Sequence, residues 1–210
     1  MRPLRVVQLT LWAAAAIGLV GLALGLSGAL PVGGSGQRVV TTTTAGAPQI
    51  GGPFRLTSHT GAVVTDQDLK GKPFGVFFGF THCPEVCPTT LFELTERMKE
   101  LGPLADKITF AFVTVDPERD TREVLAEYMQ AFDPRILALT GTPDEVAAVA
   151  KAYKASYRKV PTEGGGYTMD HTAIVYLMDK DGRFTSSIDY HENKDTQLTK
   201  LRRVVAGAGT

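Results

Sequence analysis

Hydrophobic and polar positions divide the chain into three stretches. No residue between Arg5 and Arg38 is charged, and residues 9–30 are an apolar run of about 22 residues, enough to cross a hydrocarbon core of about 30 Å. The run predicts an N-terminal transmembrane helix, with residues 1–31 as a membrane anchor. A cleavable signal peptide is the rival reading, because Ala45-Gly46-Ala47 resembles a small-residue cleavage site. That site lies far beyond the run, and the run exceeds the roughly 7–15 residues of a signal's apolar region, which favours an uncleaved anchor. Arg2 and Arg5 then stay in the cytoplasm, placing everything after residue 30 outside it. Gly21 and Gly25 have the spacing of a small-residue dimer face, although glycines are common in such spans.

Residues 32–50 are rich in Gly, Thr and Ser without periodicity, and read as a flexible tether. A folded domain is expected over residues 51–210. Residues 54–56 and 62–64 look like a hairpin turning through Ser58-His59-Thr60-Gly61. Residues 73–80 (PFGVFFGF) read as a fully buried strand, and 108–115 as a second. Between them a helix is expected over about 89–101, with Leu91, Leu94, Thr95 and Met98 on one face. Asp120-Thr-Arg-Glu123 reads as a capping box opening a helix to about residue 132. A short strand follows at 136–139. Thr142-Pro143-Asp144-Glu145 then opens a helix with a threonine cap, proline at the first position and glutamate at the third. A hairpin over 172–178 and 184–188 and a helix over 194–205 close the chain. This alternation implies an α/β domain with a central mixed β-sheet flanked by helices. In such sheets chemistry collects beyond the carboxyl ends of strands, where Cys83 and Asp116 both fall.

Composition narrows the function. The 22 Lys and Arg balance the 22 Asp and Glu, so the zero net charge argues against a nucleic-acid partner. The hydrophobic fraction of 43% is enough for a core. There are only two cysteines, too few for a disulfide scaffold, so Cys83 and Cys87 are expected to be chemical.

Thr81-His82-Cys83-Pro84-Glu85-Val86-Cys87-Pro88 is the informative stretch. Positions four apart on a helix stack about 5–6 Å apart at Cβ. Pro88 in a continuous helix would clash with the carbonyl of Pro84. A tight turn from Pro84 to Cys87 is therefore expected, then a helix carrying Pro88 in its first turn. Either geometry keeps the sulfurs close enough to share an ion or to close a disulfide, and free amides at a helix start favour a thiolate. The bland reading, two small buried residues lying near each other, is weakened by the flanking prolines and the lack of other cysteines. Dithiol exchangers usually leave two residues between their cysteines and this pair has three, but the spacing alone does not choose between redox and metal chemistry.

Of the four histidines, His59 and His191 read as solvated surface residues, and His82 should leave the backbone away from Cys83. His171 follows the glycine-rich residues 163–166 and precedes an apolar strand. It is either a candidate ligand or a cap on the strand entrance, and position alone does not separate these readings.

The blocks from Phe78 to Pro88, Val115-Asp116-Pro117-Glu118-Arg119-Asp120-Thr121, Leu139-Thr140-Gly141-Thr142 and Asp170-His171-Thr172 before Tyr176-Leu177 together resemble the Sco/SenC family. The resemblance spans residues 52–189 in the family's order. It implies a thioredoxin-like fold, copper bound by the residues matching Cys83, Cys87 and His171, and work in assembling the dinuclear copper centre of cytochrome c oxidase subunit II. A copper metallochaperone of this kind is expected to hold one Cu(I) or Cu(II) per chain and to sit in the bacterial periplasm or the mitochondrial intermembrane space.

Two thiolates and an imidazole are a soft donor set suited to Cu(I) and acceptable to Cu(II). Catalytic zinc is the competing metal, but only Glu85 is at hand as a carboxylate base. Both sulfurs must be reduced to take metal, which calls for a thiol reductase partner besides the oxidase subunit and another copper donor. The rival function is a membrane-anchored thiol–disulfide oxidoreductase using Cys83 and Cys87 as a redox-active pair without His171. Asp170-His171-Thr172 contains no proline where thioredoxin-like reductases commonly place one, which favours metal. A transmembrane sensor lacks any recognisable signalling domain. Asp170 is a candidate to orient His171, Asp120 a helix cap, Asp116 is left open, and Phe78 and Phe80 are expected in the core.

Overall fold

The computed structural model describes residues 49–207. The expected membrane anchor, the dimer face at Gly21 and Gly25, the Ala45-Gly46-Ala47 site and nearly all of the tether lie outside the described residues. Among the described residues no helix is long and apolar enough to cross a membrane.

The described residues hold nine strands and five α-helices, with two short 3-10 helices at Gly102–Lys107 and Met129–Ala131. The strands are β1 (Arg55–Ser58), β2 (Val63–Thr65), β3 (Phe74–Gly79), β4 (Thr109–Thr114), β5 (Ile136–Thr140), β6 (Tyr157–Pro161), β7 (Tyr167–His171), β8 (Ile174–Met178) and β9 (Phe184–Asp189). The helices are α1 (Asp66–Leu69), α2 (Val86–Leu101), α3 (Arg122–Tyr128), α4 (Pro143–Ala152) and α5 (Lys194–Val205). Seven strands form one mixed sheet in the order β2-β1-β5-β4-β3-β8-β9, while β6 and β7 make a separate two-stranded hairpin. Strands β3, β4 and β5 run parallel, with β8 antiparallel on the far side of β3 and β1 antiparallel to β5. Helices α2 and α5 pack on each other, α3 lies along β5 and α4 along β1. This is the expected central mixed sheet flanked by helices.

Strand β3 is buried along its whole length because both faces are covered, which explains its unbroken apolar sequence. Phe74, Phe77, Phe78 and Phe80 are almost fully buried, as are Phe110 and Phe112 of β4. Removing each such ring from water contributes roughly 1.5–3 kcal/mol. Phe78 packs edge-on against Tyr153 and Tyr176, with ring centroids 5.6 and 6.0 Å away, and so belongs to the core as expected. Phe77 faces the opposite side, against Phe112 at 5.9 Å. Gly75 and Gly79 share that second face, where their missing side chains make room for Phe110 and Phe112.

Local capping chemistry explains the helix starts. Thr142 caps α4 with the expected box, accepting from Glu145 N–H while Glu145 accepts from Thr142 N–H. Helix α3 starts later than expected. Its cap is Thr121, whose hydroxyl accepts from Val124 N–H, and Asp120 is occupied elsewhere. Helix α2 starts at Val86, three residues early. Pro88 is its third residue and Pro84 lies outside it, so the anticipated clash does not arise. His59 is half-buried: its Nδ1 accepts from Ala138 N–H at 3.1 Å, extending the β1–β5 pairing with a side chain.

A methyl group at position 75 would lie 2.6 Å from the Phe110 ring. Gly75→Ala is expected to destabilise the domain by about 1–3 kcal/mol through overpacking, read as a lower midpoint of urea unfolding.

Candidate metal centre

The turn after β3 delivers the two cysteines. Cys83 N–H donates to Phe80 O at 3.3 Å, and Thr89 N–H donates to Glu85 O at 3.1 Å as α2 begins. Cys87, in the first turn of α2, is fully buried against Gly79, while Cys83 is partly exposed. A Cβ on Gly79 would lie 2.8 Å from Cys87 Sγ and 2.6 Å from the Phe112 ring. Only glycine there lets the sulfur seat against the strand.

Asp120 fixes the start of this turn. Its carboxylate is fully buried and accepts three hydrogen bonds, from Thr81 N–H (3.0 Å), Thr81 Oγ1 (2.6 Å) and Thr114 Oγ1 (2.6 Å). A buried carboxylate left unpaired would be costly, so these donors both satisfy it and tie the cysteine turn to the end of β4. His82 is exposed, with Nδ1 3.1 Å from Thr81 Oγ1, and as expected does not join the sulfurs.

His171 comes from a distant part of the sequence, just before β8, the strand that pairs with β3. It is the last residue of β7, held in a hairpin, and not a loop residue at the entrance of β8. Its Nδ1 lies 3.1 Å from Thr172 O, an acceptor only, so Nδ1 carries the proton and Nε2 presents a lone pair. Nε2 lies 3.5 Å from Cys87 Sγ. The rings of Phe77 and Phe80 stand edge-on to the imidazole at 6.3 and 5.7 Å. Asp170 does not orient His171 as anticipated. Alternation along β7 turns its side chain outward, where Arg158 binds it at 2.9 Å.

The donor atoms of Cys83, Cys87 and His171 all lie within 4.8 Å of one another, the arrangement expected of three ligands to one ion. Their chemistry, two sulfurs and a pre-oriented imidazole nitrogen, fits a soft metal. Glu85 offers no carboxylate to the donors, being turned toward the Tyr190 hydroxyl at 3.3 Å. His191 is exposed, stacked beside Tyr190. A cleft of about 260 Å³ opens onto Cys83 and His171, lined on one side by Phe80 and Cys83 to Val86, and on the other by Thr168 to His171.

The two sulfurs are not equivalent. The neighbouring Cys87 thiol holds Cys83 down to about 3 against the opposing effect of burial; the Cys87 backbone N–H, which donates to Cys83 Sγ at 3.4 Å, adds to this. The same contact, with burial, pushes Cys87 well above the ordinary thiol range. The pair therefore keeps one proton, on Cys87, and Cys83 is the resident thiolate.

The family model described as SCO1/SenC matches residues 42–206. The chain belongs to the SCO1/SenC family. It is 42% identical over 152 residues to "Protein SCO1 homolog, mitochondrial" of Homo sapiens, covering 71% of this chain and 50% of that protein. It is 39% identical over 164 residues to "Protein SCO2, mitochondrial" of Saccharomyces cerevisiae, covering 76% of this chain and 54% of that one. The chain thus spans about half the length of these two curated Sco relatives. Among solved structures it is similar to Bradyrhizobium japonicum ScoI with copper bound, at 50% identity and a TM-score of 0.69 over 74% of this chain and 99% of that one. It is similar also to yeast Sco1 with copper bound, at 36% identity and a TM-score of 0.70 over 76% and 90% of the two chains. The thioredoxin-like Sco fold expected from the sequence is therefore the fold of this chain.

Sequence reasoning singled out the three converging residues but missed what seats them. Gly79, Thr81 and Thr114 carried no signal of their own. The role of Asp120 was open to notice only in that a second carboxylate, beyond Asp116, follows closely on a strand's carboxyl end.

Alkylation kinetics test the inequality of the sulfurs. In the reduced chain iodoacetamide is expected to modify Cys83 first, at a rate nearly flat from about pH 5 to about pH 8, because a thiol held near 3 is ionised throughout. A rate climbing about tenfold per pH unit over that range would refute the assignment.

Proposed function

We propose that this chain is a copper metallochaperone that binds one copper ion through Cys83, Cys87 and His171 and delivers it to the dinuclear copper centre of cytochrome c oxidase subunit II. The observation that carries the reading is the convergence of those three donors within 4.8 Å. Two sulfurs and one imidazole suit Cu(I), and three donors beside an open cleft leave a side from which a receiving protein's ligand can enter. Copper is cargo here, so the site needs to hold the ion and also release it. The relatives support the choice of metal and pathway: copper is bound in the ScoI and Sco1 structures, and BsSco is described as a member of the Sco family of cytochrome c oxidase assembly proteins.

In this reading residues 1–31 anchor the chain in a membrane with the N-terminus in the cytoplasm, residues 32–50 are the tether, and the domain from residue 51 works in the periplasm or an intermembrane space. Another copper donor loads it, and a thiol reductase keeps its cysteines reduced. A second reading, a thiol–disulfide oxidoreductase acting on the oxidase subunit's cysteines, is favoured by the Cys83 thiolate next to the Cys87 thiol. It gives no role to an imidazole whose free nitrogen is aimed at the sulfurs, and it ranks second for that reason.

Copper titration of the full reduced chain tests the first reading. One Cu(I) per chain is expected, with X-ray absorption counting two sulfur donors and one nitrogen. Cys83→Ala and Cys87→Ala should abolish tight binding, and His171→Ala should weaken it about 10–100-fold. Because binding displaces the Cys87 proton, affinity should rise with pH. Oxidase assembly supported fully by His171→Ala would turn the assignment toward the thiol reductase.

A further inference from the structure

The hairpin that carries His171 shares no backbone ladder with the seven-stranded sheet. Besides the chain's own continuation into β8 at Ile174, side chains hold it. Met169 buries its thioether in the core, and two residues before it Tyr167 meets a cluster on the loop after β4. Asp116 in that loop is 1% exposed and accepts from the Tyr167 hydroxyl at 2.9 Å and from Arg119 Nε. Arg119 Nη1 donates to the Tyr167 carbonyl at 2.9 Å, and its guanidinium carbon lies 3.8 Å from the centre of the Tyr167 ring. Lys159, paired with Glu118 at 2.6 Å, places its ammonium 4.7 Å from the same ring. One tyrosine is thus bound through its hydroxyl, its carbonyl and its π face at once, and a desolvated cation on an aromatic face adds to the hydrogen bonds.

Tyr167, Met169 and His171 alternate onto one face of β7, so the bound tyrosine and the imidazole lie on the same side of a strand about 13 Å apart. The guanidinium carbon of Arg119 also lies 5.9 Å from the centre of the Phe80 ring, which stands edge-on to His171.

We propose that Asp116, Arg119 and Tyr167 form a positioning clamp that determines whether His171 is available to the sulfur pair. With the clamp closed, the hairpin lies against the β4 loop and the site has three donors. With it loosened, the hairpin pivots and the sulfurs are left as a two-donor site. The residues act through His171 and touch no metal themselves. This inference rests on the three-donor reading of the site, and its test separates the two.

The test is a double-mutant cycle on the full reduced chain, with Cu(I) as the probe, read by competition titration and X-ray absorption. Tyr167→Phe keeps the ring against its cations and removes only the hydroxyl on Asp116, whereas Tyr167→Leu removes both. Affinity should fall about tenfold in Tyr167→Phe and further in Tyr167→Leu, with nitrogen lost from the absorption signal and both sulfurs retained. In a His171→Ala background neither substitution should lower affinity again. In the metal-free chain, amide exchange should quicken at Met169 and His171 while β3 and β4 stay unchanged. The same affinity loss with His171 already absent would mean general loosening and overturn the clamp. Wild-type affinity and donor count in both Tyr167 variants would overturn it as well. Equal affinity of wild type and His171→Ala would instead sink the three-donor reading, and amide exchange would still decide whether these residues hold the hairpin.

Discussion

The site depends on one contact, Cys87 Sγ against His171 Nε2 at 3.5 Å, made between residues 84 apart in the chain. Local structure alone cannot produce it. The cysteines sit close together because they share a turn and the first turn of a helix, but the imidazole is brought from the separate β6–β7 hairpin, beside β3 only because β8 pairs with it. Two packing constraints make the meeting possible. The missing side chain at Gly79 lets Cys87 seat on β3, and the Asp120 carboxylate fixes the turn before it through Thr81 and Thr114. Each depends on burial, since an exposed carboxylate would hold its partners weakly and an exposed glycine would exclude nothing.

Most of the main sheet was legible in the sequence, for a physical reason. Strands buried on both faces read as unbroken apolar runs, and the helix opened by Thr142-Pro143-Asp144-Glu145 announces itself through groups within one turn. The β6–β7 hairpin was not legible. Tyr157-Arg-Lys-Val-Pro161 is mostly exposed, has no apolar face of ordinary strength, and turns through glycines that read as a loop. Asp120 was misread as a cap because Thr121 next to it does the capping and because its donor Thr81 is 39 residues away. The turn that keeps Pro84 out of α2 and the place of Pro88 in its first turn are as expected, and the helix begins earlier only because Val86 and Cys87 are already helical.

The three donor residues were legible by type, but His171 only as one of two equal readings until the family resemblance was added. What the sequence withheld was orientation. The Nδ1–H bond to the Thr172 carbonyl fixes which nitrogen faces the sulfurs, and Asp170, the residue that looked suited to that task, points outward to Arg158. A side chain beside a ligand in sequence alternates away from it on a strand, so the orienting group had to come from the backbone.

The arrangement differs in kind from a structural metal site. Structural zinc sites close four ligands around the ion and supply folding energy that a small domain lacks. Here the core is complete without metal: Phe77, Phe78, Phe110 and Phe112 are buried in the sheet, and the donors sit beyond its edge of strand ends. Metal is therefore not needed to complete the core. The sulfurs are seated against β3 and on α2, while the imidazole ends a hairpin that shares no ladder with the main sheet and runs on into β8 after two residues. The three donors thus come from two separate parts of the fold, the cysteine turn with α2 and the end of the β6–β7 hairpin. Thiol exchange needs the cysteine turn alone, whereas a three-donor soft-metal site needs both parts of the fold.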